Sequence, residues 1–146
     1  MAYASPADLV VHGLPATALG ALTVAQQNAA LDAASKIVDS KLRGRYALPL
    51  VAWGTEITQA TCKIAAYELL NIRGYNPASG ADVNVSDRYL AAMHWLDQVQ
   101  RQAAHPDVTP QPSQTPNFNS PTVISSSMAV TGGLPTGSIA ALNRGW

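Results

Sequence analysis

From Thr23 to Leu42 the chain contains neither glycine nor proline, and it then turns through Gly44 into Arg45-Tyr46-Ala47-Leu48-Pro49-Leu50. A stretch that long without a breaker predicts a helix over about 24–43. Thr23 is placed to cap it, because its hydroxyl can accept a first-turn N–H left without a helical partner. Ala25, Ala29, Ala30, Ala33 and Ala34 favour the helix intrinsically. Leu31, Ala34, Val38 and Leu42 recur at helical spacing and make one apolar stripe. On another face, Asp32 to Lys36 and Asp39 to Arg43 stand four apart with the acid first. Each such pair adds roughly 0.2–0.5 kcal/mol when formed. Gly44 suits a left-handed helix stop, and Pro49 holds the chain extended beyond it. Gly44, Arg45, Tyr46, Leu48, Pro49 and Leu50 together read as a structural crossing. Arg45 is expected to bind backbone carbonyls or an acid on a neighbouring helix, while Tyr46, Leu48 and Leu50 anchor the segment.

The stripe needs a partner, and 146 residues is a one-domain length. Hydrophobic residues make up 47% of the chain but aromatics only 6%, and alanine supplies much of the remainder. That composition predicts closely approaching helices around a modest core. Nine basic side chains balance nine acidic ones. A free-standing nucleic-acid binder normally carries a basic surplus, so the balance disfavours that class and favours assembly. No apolar run approaches the roughly 18 residues of a membrane span. The opening Met1-Ala2-Tyr3-Ala4-Ser5-Pro6-Ala7-Asp8 lacks the basic start of a signal peptide. Cys62 is the sole cysteine, which excludes an intrachain disulfide and a cysteine-based zinc site. A reduced, cytosolic setting is expected.

Ser5-Pro6 opens a short helix through about His12, closed by Gly13-Leu14-Pro15, and 16–22 forms a connector. Thr55 caps a third helix running to about Arg73. Ile57, Ala60, Ile64 and Tyr67 line one side of it, and Cys62, Ala65, Leu69 and Ile72 another. A helix apolar on two sides is covered twice, by its own domain or by a neighbouring subunit. Turn residues fill 74–80, and Ser86 is expected to cap a fourth helix from Asp87 to about Ala104. Its inward stripe is Tyr89, Met93, Leu96, Val99 and Ala103. Trp95 falls off that stripe, where it either anchors a partner or covers the domain's own loops. The fold class is therefore mainly α: a small four-helix domain over 1–104, one helix short and three long.

After Ala104 the composition shifts. Residues 105–146 hold six of the ten prolines and two charges, Asp107 and Arg144. An extended, largely irregular C-terminal arm is expected, unable to order alone. Val123, Ile124, Val130, Leu134, Ile139, Leu142 and Trp146 are its candidate docking anchors.

Catalytic constellations do not emerge. His12, His94 and His105 are scattered, and Glu56 and Glu68 stand about three turns apart, too far for paired acid–base work. No glycine-rich phosphate loop occurs. The expectation is a protein without catalytic residues, metal or cofactor.

The segment Ile37-Val38-Asp39-Ser40 through Gly44-Arg45-Tyr46-Ala47-Leu48-Pro49-Leu50 resembles the Mu-like head–tail adaptor proteins of tailed bacteriophages. So do the opening Tyr3–Val10, Cys62–Leu69 and Asp87–Leu96, in the same order, and the closing Gly145-Trp146. Residues 12–22 depart from that pattern, and 105–135 have no counterpart in it. The resemblance implies a virion structural protein at the neck: a homo-oligomeric ring, typically twelvefold, joining the portal of a DNA-filled head to the next neck or tail protein. DNA would be a passenger in the channel, and no membrane is involved. The rival expectation is a non-catalytic cytosolic interaction module whose tail folds on one partner.

Overall fold

The computed structural model describes residues 1–112. Among them are helices α1 (Pro6–His12), α2 (Ala16–Leu19), α3 (Val24–Leu42), α4 (Thr55–Arg73) and α5 (Gly80–Gln100), with two short strands, β1 (Ala52–Trp53) and β2 (Val108–Thr109). The domain is mainly α, as expected. The connector 16–22 is itself partly helical, since Ala-Thr-Ala-Leu closes one short turn that buries Leu19.

Two reciprocal caps start the first and third helices. The Ser5 hydroxyl accepts from the Asp8 amide, and the Asp8 carboxylate accepts from the Ser5 amide at 2.8 Å. Thr23 and Gln26 repeat the arrangement, with the Thr23 amide donating to Gln26 Oε1 at 2.9 Å. The expected stripe of α3 is fully buried: Leu31, Ala34, Val38 and Leu42.

α3 stops differently from the sequence reading. Arg43 keeps helical geometry and the amides of Arg45 and Tyr46 both donate to the Leu42 carbonyl, so a tightened last turn satisfies the helix end. Gly44 is therefore not left-handed; among the described glycines, Gly74 is the one with positive φ, 107°. The two expected ion pairs on α3 do not form either. Asp39 is taken by the Tyr3 hydroxyl, and the ion pairs among the described residues are Lys41–Asp97 at 2.5 Å and Arg73–Asp82 at 2.8 Å. For Asp39, pairing between elements has displaced pairing along one helix.

α4 is the central helix. α1, α3 and α5 pack on it, and Ile57, Cys62, Ile64, Ala65 and Leu69 are wholly enclosed. Its two apolar sides are thus covered from within the chain, and no second subunit is needed to explain them. Ile72, placed on the inward side by the sequence reading, lies beyond this cover and is 55% exposed. Gly13 lets α1 end flush on α4: a Cβ there would stand 2.7 Å from Leu9 Cδ1 and 3.1 Å from the Cys62 carbonyl oxygen.

α5 begins at Gly80, almost two turns before the expected Asp87. The cause is Asp82, buried in the first turn. Its carboxylate accepts from Arg73 Nη2 at 2.8 Å and from the Asn76 amide at 3.0 Å, tying the 74–79 turn to the helix start. Ser86 is consequently mid-helix. The helix also stops early, at Gln100, with Gln102 at φ 65°, so Ala103 is exposed rather than part of the inward stripe. Tyr89, Met93, Leu96 and Val99 do pack on the core. α4 and α5 run antiparallel: Arg73 meets Asp82, and Tyr67 stacks on Tyr89 at 4.3 Å between ring centroids.

The domain limit expected at Ala104 lies further on. β2 pairs antiparallel with β1, Ala52 opposite Thr109 and Trp53 opposite Val108. The Gly54 amide donates to the Asp107 carbonyl at 2.7 Å and the Gln111 amide to the Ala47 carbonyl at 3.3 Å. Met1–Pro112 forms one compact unit. Proline-rich sequence disguised the strand, yet Pro106, Pro110 and Pro112 flank the paired residues. Prolines there leave a short strand with few donors for a further one.

Candidate interaction surface

The crossing from Gly44 to Leu50 is held by one guanidinium. Arg45 Nη1 donates to the Val99 carbonyl at 2.8 Å and to the Ala104 carbonyl at 2.6 Å, while Nη2 meets His105 Nδ1. Its Cζ lies 5.1 Å from the Tyr46 ring centroid. One side chain thereby caps the end of α5 and fixes the segment that leads into β2. Leu50 is buried, Tyr46 and Leu48 are half-buried against the core, and Gly44 and Pro49 are exposed. The Leu48–Pro49 peptide is cis.

Tyr3 is a second tie, and nothing in its surroundings in the sequence marks it. Its amide donates to Ser35 Oγ at 3.0 Å, and its carbonyl accepts from Trp53 Nε1 at 3.0 Å and Thr58 Oγ1 at 3.2 Å. The ring meets Trp53 edge-on at 4.9 Å. Burial first, then the hydrogen bond to Asp39, pushes the Tyr3 hydroxyl well above the ordinary tyrosine range. Residues before α1 therefore clamp α3, β1 and α4 together.

Burial also raises the Cys62 thiol to about 12, which makes it an inert core group. His94 lies exposed and within hydrogen-bonding distance of Gln98, at 3.0 Å. Among the described residues no three His, Cys, Asp or Glu side chains converge as a metal site, and no helix is long and apolar enough to cross a membrane.

A cleft of about 240 Å³ lies between the first half of α4 and the second half of α5. Ala60 and Ala92, both buried, form its floor. Trp95 and Ala91 stand on the α5 side, and Glu56, Gln59 and Lys63 on the α4 side. Small floor residues beside a tryptophan leave room for a side chain or two. The volume is below that of a typical small-molecule pocket. Trp95 is half-buried and packs on the core, so it covers its own domain and presents an edge to the cleft at once. The charges at the rim were visible in the sequence: Glu56 and Lys63 are seven residues apart on one helix, hence on one face.

The other candidate anchors, Val123, Ile124, Val130, Leu134, Ile139, Leu142 and Trp146, lie outside the described residues.

A family model, bacteriophage Mu Gp36, matches residues 3–125. The match spans the helical unit and runs on past Pro112, so much of the 105–135 stretch falls inside the family, contrary to the expectation that it has no counterpart there. No curated protein matches the chain. The family match covers most of the 146 residues, and the chain belongs to the bacteriophage Mu Gp36 family.

Proposed function

We propose that this phage protein is a head–tail adaptor of the virion neck, a ring of identical subunits that bridges the portal and the next neck or tail protein. The observation that carries the reading is the family match over 3–125, which coincides with the ordered resemblance of the Ala-rich helix, the Gly-Arg-Tyr-Ala-Leu-Pro-Leu crossing and the two following helices.

The physical chemistry supports it in three ways. Balanced charge, nine against nine, permits close packing of many copies without self-repulsion. Arg45 and Tyr3 brace the helices from two directions, as a subunit bearing load between two larger assemblies requires. The Trp95 cleft offers a shaped surface for a protein side chain. In this reading DNA passes through the ring without being read, since a sequence-independent binder would display a basic excess. The anchors from Val123 to Trp146 dock on the portal or an adjacent subunit.

Mass measurement of the purified full chain, with and without its portal, tests the proposal. A ring-sized complex that joins the portal is expected. Capture of a single copy by some other host or phage protein, with no portal association, would instead favour an interaction module.

A further inference from the structure

We infer that neighbouring copies of this chain associate head to tail, the outward ridge of α5 on one copy seating in the α4–α5 cleft of the next. The inference rests on the ring reading above and specifies the interface.

A closed ring of identical subunits needs two different complementary surfaces on each subunit, one facing each neighbour. The α5 helix carries both. One flank, through Ala91, Ala92 and Trp95, lines the cleft. A second flank carries Val83, Asp87, Leu90 and His94, which recur at helical spacing as one stripe. Leu90 is 59% exposed and Val83 37%, so this flank presents aliphatic surface to solvent. Around the helix Leu90 stands about 100° from Ala91, about 140° from Trp95 and about 160° from Ala92, so ridge and cleft face different directions.

The two surfaces match in length, and Asp87 complements Lys63 in charge. On the cleft, Glu56 and Lys63 are separated by seven residues, about 10 Å along α4. On the ridge, Asp87 and His94 are separated by the same seven residues, with Leu90 between them. Laying the ridge antiparallel to α4 puts Asp87 against Lys63 and His94 against Glu56. Leu90 then enters the alanine floor beside Trp95. Because α4 and α5 are antiparallel within one copy, this docking sets the α5 helices of neighbouring copies parallel. Rotation about an axis running along α5 relates helices in that way, as in a cyclic ring.

Charge reversal in the full chain tests the interface, with self-association followed by sedimentation and native mass. Lys63→Glu and Asp87→Lys are each expected to weaken association roughly tenfold or more, and the double variant to recover most of the loss. Leu90→Asp, at an exposed position that leaves the fold intact, is expected to abolish it. A mixture of Leu90→Asp chains with Lys63→Glu chains should form only one-to-one pairs, since each retains one usable surface. Unchanged melting of the isolated Asp87→Lys and Leu90→Asp chains would confirm that the fold is not the cause.

A wild-type chain that stays monomeric at its highest soluble concentration overturns the inference. So does association that the single reversals leave intact, or a double variant no better than the worse single one. The outcome is separate from the neck assignment. A ring seen in the virion with α5 ridges turned away from the clefts would leave the adaptor role standing and this interface refuted.

Discussion

Arg45 reaches across from the end of α3 to the Val99 carbonyl at the end of α5, 2.8 Å away, and the same nitrogen holds Ala104 at 2.6 Å. The last carbonyls of a helix have no partner within it, so a guanidinium that supplies two donors both caps α5 and fixes where the chain goes next. Replacing Arg45 with Ala should cost about 1–3 kcal/mol. Lysine, which lacks the planar fork, should recover only part of that. Chemical denaturation measures the cost. Hydrogen exchange at Ala103, bonded to the Gln98 carbonyl, and at Gly54, bonded to the Asp107 carbonyl, should accelerate in Arg45→Ala well before the core of α4 opens.

The crossing leucines are not equivalent. Leu50 is buried, whereas Leu48 is half-buried at the edge of the core. Leu50→Ala is expected to lose about 2–5 kcal/mol. Leu48→Ala should lose distinctly less, in contrast with the equal anchoring that the sequence suggested. The two melts, compared side by side, decide it.

Gly13 carries a steric prediction of its own. A methyl group would press on Leu9 and on the Cys62 carbonyl, so Gly13→Ala must push α1 off α4. The expected loss is about 1–3 kcal/mol, as for other overpacked sites. Gly44→Ala, where nothing stands within 4 Å and φ is not positive, should be neutral or slightly stabilising. Equal melting temperatures for the two variants would contradict the packing described for α1.

Stability should respond to pH at both extremes, through different groups. The Tyr3 hydroxyl is held above its ordinary value of 10.0, so the folded chain keeps a proton that the unfolded chain releases. Stability is then full below about pH 10 and falls as pH rises through that range. Tyr3→Phe should remove this alkaline loss and, at neutral pH, lose the bond to Asp39. Asp8, held low by the Ser5 cap, and Asp97, held low by Lys41, act at the other end. Their contribution is present above the ordinary carboxylate range and disappears as pH falls below it. Thermal melts across pH for wild type and Tyr3→Phe show whether the alkaline slope belongs to Tyr3.

Much of the fold was legible because it rested on local signals. The Ser5-Pro6 start, the Thr23 cap and the Leu31–Leu42 stripe each depend on residues within a few positions of one another. What the sequence hid was decided across the fold. Asp82 starts α5 early because Arg73 lies beside it in space, and Asp39 abandons Arg43 because Tyr3 reaches it from 36 residues away. β2 is not legible locally because it lies in a proline-rich stretch and pairs with β1, more than fifty positions away. Trp95 was recognisable as off the stripe, but the cleft beside it required knowing that Ala60 and Ala92 face each other. A chain cut after Pro112 should accordingly keep the full cooperative melt, whereas one cut after Ala104 should be less stable through loss of the ribbon.

Imaging the neck of the intact virion by electron cryomicroscopy tests the adaptor assignment most directly. The account predicts a closed ring of this helical unit seated between the portal and the first tail component, its central channel wide enough for DNA. Density for the unit elsewhere in the particle, or a virion that lacks this chain altogether, would contradict it.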